Sequence, residues 1–97
     1  MTNLVFNIGA GDTTELIDIN AGRSGIESML ISNTDGSNDA TVALYLKNAG
    51  GTDYYIFKNL RIPIGQTLKL DRNEISFNNK LYNLYITSTR TVSVIIN

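Results

Sequence analysis

The stretch Asn-Thr-Asp-Gly-Ser-Asn-Asp-Ala-Thr at 33–41 crowds two aspartates and two asparagines between apolar runs. An oxygen-rich loop of this kind is the raw material of a calcium site, which needs ligands at alternate positions, a glycine at the sixth and a bidentate glutamate at the twelfth. Counting from Asp35, Ser37 and Asp39 occupy ligand positions, but Ala40 is sixth and Leu46 twelfth. The stretch therefore reads as a strand-to-strand turn, for which Asn, Asp and Gly supply the backbone angles and the local hydrogen bonds.

Other chemical patterns fail in similar ways. Gly9 and Gly11 follow an apolar segment as in a dinucleotide fingerprint, yet Thr14 holds the third small position and 15–19 has the pattern of a strand. Without a helix N-terminus there is no row of free amides for a pyrophosphate. Gly65 stands alone in Ile-Gly-Gln-Thr and makes no Walker loop. Histidine and cysteine are both absent, which removes the base of a serine triad, thiolate nucleophiles, thiolate metal sites and disulfides. Ser24 also lacks the final glycine of a nucleophile elbow. Asp18 and Glu27, each among apolar neighbours, are the carboxylates a glycosidase would use. Strand alternation turns such residues toward solvent. No catalytic residue, metal ligand or cofactor is expected, and the expected function is not enzymatic.

Tyr54, Tyr55 and Phe57 lie in one short run and put aromatic rings on both faces of a strand. One face leaves the local core, so the cluster points to an interface, with protein or with carbohydrate.

The elements that must position these residues follow a period of two. Val42, Leu44 and Leu46 alternate with Thr41, Ala43, Tyr45 and Lys47; Tyr82, Leu84 and Ile86 alternate with Leu81, Asn83, Tyr85 and Thr87; Val92, Val94 and Ile96 continue the pattern to the C-terminus. Further strands are expected at 4–8, 15–19, 26–33, 54–58, 60–64, 67–70 and 74–77, each bounded by Gly, Asn or Asp clusters. Sustained helical periodicity is missing. The fold class is all-β: one domain spanning 1–97, an antiparallel two-sheet sandwich of jelly-roll or Greek-key type with about eight strands.

A chain of 97 residues buries roughly 60 to 70% of its unfolded surface. Only 18% of the residues are charged and the net charge is −1, so no field steers nucleic acid or an anionic membrane toward it. No apolar run approaches a bilayer span of roughly 20 residues, and no secretion signal is expected. Such a sparsely charged surface, rich in Asn and Thr, tolerates self-association.

Taken in order, the glycine turn and Thr-rich strand after Asn7, "INAGRSGIESMLISN", "DATVALYL", "DYYIFKNLRIPIGQTLKL" with its turn at Pro63 and Gly65, "LYNLYITS" and the valine-rich last strand resemble a family of small virion proteins of tailed bacteriophages. The resemblance implies a β-sandwich subunit at the particle surface, made in the bacterial cytoplasm. It further implies self-assembly, often as a homotrimer, with the major capsid protein or other virion proteins as partners. Its roles are capsid decoration (cement) or attachment at the neck, tail or fibre. The expected interface residues are Leu4, Val5 and Phe6, within an N-terminal arm at 1–6, and Tyr54, Tyr55 and Phe57 on the sandwich. A glycan-binding module using the tyrosines and a small carboxylate enzyme remain as alternatives.

Overall fold

Alternating side chains bury one face of each strand, and eight strands do so around a shared core. The computed structural model describes residues 4–17, 26–75 and 81–97. Its strands are β1 (Leu4–Ile8), β2 (Thr13–Ile17), β3 (Ser28–Asn33), β4 (Ala40–Asn48), β5 (Asp53–Ile62), β6 (Thr67–Asp71), β7 (Tyr82–Ser88) and β8 (Val92–Ile96), with one helical turn, α1 (Arg72–Ile75). Val42, Leu44, Leu84, Ile86, Val92, Val94 and Ile96 are fully buried, as the period of two requires.

One sheet, A, has the order β1-β8-β3-β6; the other, B, has β2-β7-β4-β5. Every pairing is antiparallel. First pairs with eighth, second with seventh, third with sixth and fourth with fifth, as if one long hairpin had been rolled so that successive pairs fall in alternate sheets. This is the jelly-roll arrangement of an antiparallel sandwich. The radius of gyration, 12.8 Å, is close to the ~12.5 Å of a compact chain of this length.

Three expectations change. Segments 54–58 and 60–64 merge into one strand, β5, which ends at Ile62, because two bulges absorb the irregularity: β5 runs from Leu60 to Phe57 while β4 goes from Val42 to Leu44, and from Phe57 to Tyr55 while β4 goes from Leu44 to Tyr45. The strand expected at 74–77 is replaced as far as Ile75 by the helical turn α1, whose Ile75 is buried in the core; 76 and 77 lie outside the described residues. Of the arm expected at 1–6, residues 1–3 lie outside the described residues, and Leu4, Val5 and Phe6 are not in an arm. They belong to β1, in unbroken register with β8 from Leu4↔Ile96 to Ile8↔Val92, and Leu4 and Phe6 pack against the core. The reason is physical: β8 is apolar everywhere but Ser93 and would otherwise be an uncovered edge.

Candidate functional site

Sheet B places one cross-strand row on its outer surface. Glu15 stands opposite Tyr85, Tyr85 opposite Tyr45, and Tyr45 opposite Tyr55, so the row crosses all four strands. The Tyr45 and Tyr85 rings are nearly parallel with centroids 5.5 Å apart, and Tyr55 tilts against Tyr45 at 5.1 Å. These spacings lie within the range of favourable ring pairs. The central ring, Tyr45, is covered by its neighbours although it lies on the outer face, while Tyr55 is 46% exposed.

Charges finish the row at both margins. The Tyr85 hydroxyl donates to Glu15 Oε2 at 2.7 Å. That hydrogen bond to a carboxylate, with a smaller contribution from partial desolvation, raises the Tyr85 pKa above its ordinary 10.0. The Lys47 ammonium sits 5.3 Å from the Tyr85 ring centroid and also pairs with Asp53 at 3.7 Å. Lys58 sits 5.1 Å from the Tyr55 centroid. Each cation over a ring adds about 0.5–1 kcal/mol at an exposed site. The face is thus aromatic in the middle and charged at its rim, the composition that protein-binding patches favour.

The aromatic run of β5 is divided by the bulge between Tyr55 and Phe57. Tyr55 joins the outer row. Tyr54 lies in the inward register opposite Leu46, 49% exposed at the sandwich margin, with its ring edge-on to Tyr82 at 6.0 Å. Phe57 pairs with Leu44 and packs on the core. Without the bulge, the odd spacing between Tyr54 and Phe57 would set them on opposite faces. Tyr45, Tyr85 and Glu15 were not singled out from the sequence. The available signal was that both tyrosines occupy the polar phase of their strands.

On the outside of sheet A, Val5, Ile95, Leu30 and Lys69 form a second row in register, with Val5 69% and Ile95 36% exposed. The next row, Asn7, Ser93, Ser32 and Thr67, is polar; Ser93 donates to Asn7 Oδ1 at 3.0 Å, and Ser32 and Thr67 share a hydrogen bond of 2.9 Å. A shallow depression lined in part by Val5, Asn7, Ser93 and Ile95 lies over the β1–β8 ladder.

The oxygen-rich stretch at 33–41 spends its side chains on its own turn and on the adjoining end of β5. Asn33, buried, donates to the carbonyls of Asn38 and Ile62 at 2.9 and 3.0 Å and accepts from the Asp35 amide at 2.9 Å. Asp35 accepts from the Ser37 amide at 2.8 Å. Asp39 accepts from Arg61 Nε at 2.6 Å and from the Ile64 amide at 3.1 Å. These bonds, led by that to Arg61, hold its pKa below the usual 3.8. Among the described residues no group of three or more potential ligands could hold a metal. At the other glycine-rich stretch, Gly11 adopts φ +78° and its amide donates to Ser88 O at 2.8 Å, fastening the β1–β2 turn to the end of β7. Glu27 is exposed and ion-paired with Arg72. Asp18 and Ser24 lie outside the described residues.

Comparison with protein-family models finds no match, and comparison with curated proteins finds none either. Among solved structures the chain is similar to the Anabaena sensory rhodopsin transducer, with 16% identity, 96% of this chain and 94% of that one covered, and a TM-score of 0.57. A Yersinia pseudotuberculosis-derived mitogen aligns at 17% identity over 98% and 80% of the two chains, with a TM-score of 0.45. At such identity the likeness to the transducer speaks for the fold: the chain is an antiparallel two-sheet β-sandwich.

Proposed function

We propose that this chain is a non-enzymatic structural subunit of a tailed-bacteriophage particle, foremost a capsid decoration (cement) subunit, and that it holds its partners through sheet surfaces. The family resemblance supplies the particle. The observation that supports surface binding is the row Tyr85–Tyr45–Tyr55, which spans three strands on the outer face of sheet B with Lys47, Lys58 and Glu15 at its margins. Tyrosine carries large contact area at low conformational cost and is enriched where binding energy concentrates. A neck, tail or fibre position would use the same face.

The test is cosedimentation of the purified protein with capsids that lack it, and separately with isolated tails. Tyr55→Ala and Tyr85→Ala are each expected to weaken binding by about tenfold or more, with the fold retained by circular dichroism. Wild-type protein that sediments with neither particle overturns the reading. A glycan-binding role is the second reading, favoured by the half-exposed Tyr55 ring at the margin of that face. Glycan-array binding that disappears in Tyr55→Ala, with no binding to particles, would replace the first reading by the second.

A further inference from the structure

Among the described residues four strands are sheet edges: β1 and β6 in sheet A, β2 and β5 in sheet B. An edge is a template for a foreign strand, and proteins guard it with charge, proline or a bulge. Three of the four are guarded. The edge strand β6 carries Lys69 and Asp71; β5 carries Asp53, Lys58, Arg61 and two bulges; β2 carries Glu15 and a break in register beside it. β1, Leu-Val-Phe-Asn-Ile, has no charged residue, no proline and no break in register. It also bears the most exposed large hydrophobic side chain among the described residues, Val5.

We infer that β1 is a self-recognition edge, where two copies of this chain pair antiparallel about a two-fold axis at Val5 and join their A sheets into one eight-stranded sheet. The occupant is a second copy because β1 complements itself in one register. With the axis at Val5, Leu4 of each copy faces Phe6 of the other and the core-facing side chains stay on the core side. On the outer surface the two rows become continuous: Lys69, Leu30, Ile95 and Val5 of one copy run into Val5, Ile95, Leu30 and Lys69 of the other. Apolar side chains then meet in the middle and a lysine closes each end. Moving the axis to Phe6 would set Val5 against Asn7 and run each apolar row into the other copy's polar row. The hydrophobic pattern selects between registers in this way.

A two-fold contact closes with two copies, so it builds a dimer where the family resemblance implies a trimer. The inference rests on the β1 edge alone and is independent of the particle reading.

The chain has no cysteine, so Val5→Cys introduces a single thiol. In the pair the two Cα atoms would be about 4.5–5.5 Å apart, within the roughly 4.4–6.8 Å that a disulfide spans. Mild oxidation is expected to convert Val5→Cys to a covalent dimer, while Thr67→Cys, on the opposite edge of the same sheet, stays monomeric. By light scattering the wild-type chain is expected at about twice its 10.7 kDa mass. Val5→Lys, which sets like charges opposite each other, is expected at one chain mass with a cooperative melting transition retained, lowered only by the stabilisation that pairing supplies. A wild-type monomer at every concentration, a trimer, a Val5→Lys dimer, or equal cross-linking of the two cysteine variants would overturn the inference.

Discussion

At the scale of single residues, Asn33 shows how a side chain that resembles a ligand can be a fastener. Its amide satisfies two carbonyls from separate segments while its carbonyl fixes the turn at Asp35. Asn33→Ala leaves those groups without their partner and is expected to cost about 1–3 kcal/mol, read as a lower urea midpoint. Asp39 gives a pH signature. Its folded pKa lies below the unfolded 3.8, so its contribution is fully present above that value and is lost as pH falls through the folded pKa. Asp39→Asn is therefore expected to flatten the acid limb of stability below about pH 4. Tyr85 has the opposite sign. Its folded pKa is raised, so its contribution is fully present below pH 10.0 and is lost as pH rises through the folded value. NMR titration of the tyrosine ring carbons is expected to show Tyr85 titrating late in the wild type and nearer 10 in Glu15→Ala.

At the scale of elements, β1 decides how far the N-terminus is dispensable. Deleting residues 1–6 removes Leu4 and Phe6 from the core and bares the apolar flank of β8. The truncated chain is expected to lose its cooperative thermal transition, whereas an accessory arm would leave the transition intact. Most strands were legible in the sequence because a residue such as Leu44 or Val94 advertises its face through its neighbours' polarity. The breaks in that pattern were not legible. The bulge between Tyr55 and Phe57 moves Phe57 to the face of Tyr54, and no local residue type announces it; only the pairing with β4 shows it. For the same reason the sequence shows Tyr45 only as one member of its strand's alternation. The row it belongs to joins residues 15, 45, 55 and 85, a register that is fixed across strands and never along one. The pairing of α1 with the core through Ile75 was likewise invisible to a period of two.

At the scale of the whole molecule, the nested pairing of first strand with last makes most ordering contacts distant in sequence. Topologies of this kind refold on the order of milliseconds to seconds, and stopped-flow dilution from urea is expected to find this chain there; microsecond refolding would mean that local structure dominates. The same nesting puts Leu4 beside Ile96 on adjacent strands, about 5 Å apart between Cα atoms. A chain that comes in and goes out at one spot behaves like a bead threaded on a loop. It can be spliced into a surface turn of another protein while barely spreading that turn's two stems, and both outer faces of the bead remain available.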